Sequence, residues 1–117
     1  SFQTFLSTYV FADAPYVPTP IAGAIVAARA ANKDFEKTVF TQMRLGPEAF
    51  LLQQRLPLIK QPALLLWCDG DRIIDPSAAA VFAEGLAHST TVMLTDCGHM
   101  PMMEKPDQVV DSLLRFL

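Results

Sequence analysis

A change of pattern at Pro62 constrains the fold of this chain more than any other feature. ALLLWC, residues 63–68, is a continuous apolar run of strand length bounded by Pro62 and a DGD turn. Such a run suits a strand buried on both faces of a parallel sheet. Asp75 and Pro76 then read as a helix cap and first turn leading into SAAAVFAEGLA. TVMLT, residues 91–95, reads as a second strand. Pro106 opens a last helix, expected to turn Val109, Val110, Leu113, Leu114 and Leu117 inward. Strand, helix, strand, helix is the rhythm of an α/β fold.

Residues 19 to 56 carry a helical pattern instead. Thr19 and Pro20 predict a cap and first turn before the small-residue apolar face of IAGAIVAARAA. A second helix is expected after Asp34, with Phe35, Val39, Phe40 and Met43 at spacings of three and four, until Gly46 and Pro47 break it. PEAFLLQQRL predicts a third, ending at Pro57. Three short helices with proline-rich joints make a poor independent bundle, so the chain divides into a helical segment, 1–60, and an α/β segment, 61–117.

Two parallel strands cannot form a stable sheet alone, because each leaves an edge and much of a face unpaired. Composition agrees: 51% of the 117 residues are hydrophobic and 18% charged, against roughly 25% charged in an average soluble domain. The expectation is the C-terminal part of a larger α/β protein, or a chain that self-associates through its sheet edge or by exchanging helices hinged at Pro18, Pro20 and Pro57. A net charge of −3 provides no basic footprint for nucleic acid. No stretch has the length of a membrane span or the form of a signal peptide, so a soluble, cytoplasmic chain is expected. Cys68 and Cys97 flank apolar runs and are read as small buried hydrophobes rather than a disulfide. No CxxC or HxxxH spacing suggests zinc, and no cofactor is expected.

In open α/β sheets ligands gather at the carboxyl ends of the strands. Asp69 and Asp71 follow the first strand, and Asp96 and His99 follow the second. Their loops share a rim if the strands are parallel, so a carboxylate on one can meet the imidazole on the other. A carboxylate that takes the Nδ1 proton of a histidine fixes its tautomer and leaves Nε2 to exchange a proton with a nucleophile.

The stretch PALLLWCDGDRIIDPSAAAVFAEGL and, after it, TTVMLTDCGHMPMMEKPDQVVDSLLRFL resembles the C-terminal segment of α/β-hydrolase fold enzymes, most closely bacterial esterases and lipases related to monoacylglycerol lipase. APYVPTPIAGAIVAARAANKDFEKTVF resembles the later cap helices of that group. The resemblance implies Asp71 as triad acid and His99 as triad histidine, with Glu104 and Pro106 matching a structural Glu-x-Pro. It implies a C-terminal α/β-hydrolase fragment: a helical cap segment, then strand-helix-strand-helix of a parallel sheet. Cys68 stands where such enzymes usually carry glycine. There is no G-x-S-x-G elbow, since Ser1, Ser7, Ser77, Ser89 and Ser112 lack the flanking glycines, and there is no His-Gly oxyanion segment.

Simpler roles compete at several positions. His88, at a helix end, is read as a cap or a solvent-facing side chain. Asp75 has a structural task before Pro76, and Asp69 can shape the turn. DGDRIID lacks the ligand and glycine that a calcium loop requires at Ile73 and Ile74. Met100, Met102 and Met103 can line an acyl pocket or fill a core. The sequence is therefore read as the acid–base half of a serine hydrolase of carboxylic esters, inactive by itself, with a lipid-like or other small ester as substrate and the missing N-terminal part as partner. The alternatives are a non-catalytic, self-associating fragment, or dehalogenase or epoxide hydrolase chemistry set by an upstream nucleophile.

Overall fold

The computed structural model describes residues 1–45 and 52–117. Ser1 caps the first helix, α1 (Phe2–Phe5), by accepting the Thr4 N–H on its Oγ at 3.1 Å. A π-helical turn over Leu6–Val10 follows and ends where Phe11 becomes extended. Residues 11–18 form a strap that bends at Ala12 and Asp13, and Gln3 holds its far end: Nε2 donates to the Pro15 carbonyl and Oε1 accepts the Val17 N–H, both at 3.0 Å.

Helix α2 (Thr19–Ala31) includes Thr19 and carries Pro20 in its first turn. Helix α3 (Lys33–Leu45) begins two residues earlier than its sequence pattern suggests, and the break expected at Gly46 and Pro47 lies outside the described residues. An ion pair of 2.9 Å joins Arg29 to Glu36 across the joint. No residue of α2 is buried, and Ile21, Val26, Phe35, Phe40 and Met43 are exposed. The expected third helix is described only as α4 (Leu52–Arg55) and a 3₁₀ turn over Leu56–Leu58, because its start lies outside the described residues.

Strand β1 (Ala63–Cys68) pairs in parallel with β2 (Ser89–Leu94), from Ala63 opposite Ser89 to Cys68 opposite Leu94. The second strand starts two residues earlier than TVMLT suggests and stops before Thr95; Asp96, at φ 55°, then turns the chain out of the sheet. Left-handed backbone of this kind is tolerated by Asp better than by most residues. Between the strands lies α5 (Ala78–Gly85), and after them α6 (Pro101–Glu104) and α7 (Pro106–Phe116).

Side chains alternate across a strand. Leu66 and Cys68 therefore share a face with Val92 and Leu94, and Val109 of α7 packs on it. Trp67 belongs to the opposite face, its ring 6.1 Å from that of Phe82 in α5. The strands thus carry helices on both faces.

Two expectations about burial fail for one reason. Ala63–Trp67 are only half-buried rather than enclosed, because no third strand flanks β1 among the described residues. In α7 the inner side is Val109, Ser112 and Phe116, whereas Val110, Leu113, Leu114 and Leu117 are exposed. The radius of gyration is 17.0 Å, against about 13 Å for a compact domain of this size. The apolar excess in the composition lies on uncovered surface.

The cysteines correct the sequence reading. Cys68 and Cys97 form a disulfide with Cα atoms 5.3 Å apart, and both are fully buried beside Leu94. Parallel pairing is the cause: Cys68 ends β1 opposite Leu94, so the chain leaving β2 returns Cys97 to it within three residues.

Candidate active site

The loops leaving β1 and β2 are knitted together before any functional side chain is considered. Asp69 N–H extends the ladder to the Leu94 carbonyl at 2.9 Å, and Gly70 N–H donates to the Cys97 carbonyl at 3.1 Å. A Cβ on Gly70 would lie 2.8 Å from that same oxygen, so the approach requires glycine.

Asp71 follows. Its Oδ1 accepts the N–H groups of Ile73 and Ile74 at 2.8 and 3.0 Å, as in an Asx-type turn. Its Oδ2 is thereby aimed across the rim, where His99 Nδ1 lies at 2.9 Å. The far end of the turn is fixed by Trp67, whose indole N–H donates to the Ile74 carbonyl at 3.3 Å.

The Asp71 side chain is 7% exposed and that of His99 35%. A buried acid thus holds an accessible base, and among the described residues no hydrogen-bond partner occupies His99 Nε2. Burial opposes ionisation of Asp71. The hydrogen bond to His99, the N–H groups of Ile74 and Ile73, and the charge of protonated His99 together outweigh it, so the carboxyl sits below its ordinary range.

The other candidates stand apart. Asp75 Oδ1 accepts the Ser77 N–H at 2.9 Å and so shapes the entry to α5. The hydrogen bond from Ser77 lowers the Asp75 pKa, against a smaller opposing effect of desolvation. Asp69 contributes its backbone to the ladder. Asp96 lines a separate cleft of about 400 Å³ with Phe11, Asp13, Met103 and Glu104. His88 is exposed beside the amino ends of the strands, where its carbonyl accepts the Ala63 N–H. Among the described residues no group of three or more His, Cys, Asp or Glu side chains is placed to hold a metal ion.

An open, mainly apolar cleft of about 340 Å³ adjoins the pair, lined by Leu66, Trp67, Ile74, Met100 and Met102 together with Asp71 and His99. Two of the three methionines are therefore beside the histidine, and Met103 is not. Unforeseen was the part played by the N-terminal segment. Arg72 donates to the Thr8 carbonyl at 3.0 Å, and the His99 N–H donates to the Val10 carbonyl at 2.6 Å.

The sequence profile of the alpha/beta hydrolase family matches residues 3–112, nearly the whole chain. The chain belongs to that family. It is 30% identical over 101 residues to monoacylglycerol lipase ABHD6 of Bos taurus, with 86% of this chain aligned, and 26% identical over 111 residues to Lipase 1 of Psychrobacter immobilis, with 92% aligned. It spans only 30% and 34% of those two hydrolases. Among solved structures, a membrane phospholipase A described as a bacterial virulence factor superposes with a TM-score of 0.83 at 33% identity, over 98% of this chain and 36% of that one. Among the described residues no helix is long and apolar enough to cross a membrane.

Proposed function

We propose that this chain is the C-terminal part of a serine hydrolase of carboxylic esters and supplies the acid and the base of its catalytic triad. The observation that carries the reading is the 2.9 Å contact from Asp71 Oδ2 to His99 Nδ1, with the rest of the imidazole open to the rim. His99 Nε2 takes the proton of a serine hydroxyl contributed by the N-terminal part as that oxygen attacks the ester carbonyl. The imidazolium, stabilised by Asp71, returns the proton to the departing alcohol and leaves an acyl-serine. Water then gives a proton to the same nitrogen as its oxygen attacks the acyl carbonyl; the bond to the serine oxygen breaks, and the imidazolium returns the proton to that oxygen, which frees the acid and restores the serine.

The substrate class is a lipid-like ester. Its support is the apolar lining of the cleft beside His99 and the lipase and phospholipase names of the relatives. Residues 1–60 serve as cap and 61–117 as the catalytic α/β segment. The Cys68–Cys97 disulfide favours an oxidising compartment over the cytoplasm expected from the sequence.

The test is hydrolysis of a short p-nitrophenyl ester. The 117-residue chain alone is expected to show no turnover, because it has no nucleophile elbow. A longer polypeptide that adds the upstream G-x-S-x-G part is expected to show turnover that His99→Ala abolishes. Turnover by the chain alone, or an upstream sequence without that elbow, would overturn the proposal.

A further inference from the structure

We infer that Glu104 is a positioning residue: its carboxylate clamps the loop of His99 to the N-terminal strap and so keeps His99 Nδ1 on Asp71. The inference rests on the reading of His99 as the base. Glu104 closes α6, whose start at Pro101 lies two residues after His99. The N–H groups of Met103 and Glu104 return to the Met100 carbonyl at 2.9 and 3.1 Å, which curls the carboxylate back under the loop. There Oε1 accepts the Gly98 N–H at 2.7 Å, while Oε2 accepts those of Ala12 and Asp13 at 2.8 and 3.3 Å. Three backbone donors, two of them more than ninety positions from Glu104 in the chain, thus meet on one anionic group.

The clamp acts on the backbone that carries the base. His99 N–H is itself bonded to the Val10 carbonyl at 2.6 Å. Strap and loop lie so close that a Cβ on Gly98 would stand 2.5 Å from the Val10 oxygen and 3.0 Å from Ala12 N. Without Glu104 the one hydrogen bond left between this loop and the N-terminal segment, among the described residues, would be that of His99 N–H to the Val10 carbonyl, just before the strap.

Charge matters as well as shape. Hydrogen bonds to an ionised acceptor are about twice as strong as neutral ones. Glutamine has the same shape but only one acceptor oxygen, so its NH₂ must face either the Gly98 donor or the Ala12 and Asp13 donors. One arm of the clamp is then lost.

The experiment is NMR on the nucleophile-bearing polypeptide that contains this chain, reading the His99 Nδ1–H proton resonance and amide hydrogen exchange at Gly98 and Ala12. In the wild type the Nδ1–H resonance is expected to be present and to vanish in Asp71→Asn. In Glu104→Gln it should broaden or vanish while circular dichroism stays native, and exchange at Gly98 or Ala12 should quicken by about tenfold or more. A resonance that depends on Asp71 but is unchanged in Glu104→Gln would overturn the clamp and leave the Asp71–His99 pair standing. A wild type whose resonance is absent or indifferent to Asp71→Asn would overturn both. If Glu104→Gln does not fold, wild-type exchange decides: protected Gly98 and Ala12 amides support the clamp, and unprotected ones overturn it.

Discussion

Cys68 and Cys97 join the last residue of β1 to the loop that carries His99, two residues before the imidazole. The bridge lies beneath the rim on which Asp71 and His99 meet, so the strand leading to the acid is fastened covalently to the loop leading to the base. The Gly70–Cys97 hydrogen bond runs beside it.

The bridge spans 29 positions of chain, and a loop of that order restrains the unfolded state by about 3–4 kcal/mol. Chain purified without reductant and denatured should show no titratable thiol. Cys68→Ala with Cys97→Ala should lose roughly 2–4 kcal/mol in chemical unfolding. Two thiols per chain in the unreduced sample would contradict the pairing.

Acid should weaken the fold through Asp71. Its carboxyl is depressed in the folded state, so its contribution is fully present above the unfolded-state value of about 3.9. It is lost as pH falls through the folded-state value, where the native carboxylate takes up its proton. Asp71→Asn should therefore flatten the fall in unfolding free energy below about pH 4. A mutant with the same acid slope as the wild type would refute the depressed carboxyl.

Two glycines should respond in opposite directions. Gly98→Ala places a methyl against the backbone of the strap, 2.5 Å from the Val10 oxygen, and should cost about 1–3 kcal/mol. Gly23 lies inside α2, and a Cβ added there would meet nothing within 4 Å, so Gly23→Ala should stabilise that helix by about 0.5–1 kcal/mol. Equal effects in thermal or urea unfolding would argue against the strap contact.

Much of this arrangement was legible because it follows from local grammar. Pro62 and the DGD turn bound β1 correctly, and the parallel pairing that brings Asp71 to His99 follows from strand, helix, strand. That same shared rim also places Cys97 beside Cys68, but paired cysteines read from spacing alone look like isolated buried thiols. The Glu104 bonds were less accessible. They join residue 104 to residues 12 and 13 by backbone donors, which leave no mark in side-chain pattern. The inner face of α7 is not legible in the sequence because Val110, Leu113 and Leu114 are as apolar as Val109, and periodicity alone does not say that a neighbour is missing.

That uncovered surface has its own consequence. With Val110, Leu113 and Leu114 exposed on α7, Leu117 exposed just after it, and one edge of β1 unpaired among the described residues, the free chain should associate at micromolar concentration. Leu113→Lys with Leu114→Lys should lower the sedimentation coefficient toward that of a monomer. A wild type that sediments as a folded monomer would contradict this.

The most direct test of the Asp71–His99 pair is a double-mutant cycle on ester hydrolysis in the nucleophile-bearing polypeptide. Groups that act as one unit are strongly non-additive. His99→Ala should lower kcat by about 10⁶-fold and Asp71→Asn by about 10⁴-fold, and the double mutant should be little worse than His99→Ala alone. Losses that multiply, or an Asp71→Asn enzyme within about tenfold of the wild type, would contradict the pair as the acid and base of this hydrolase.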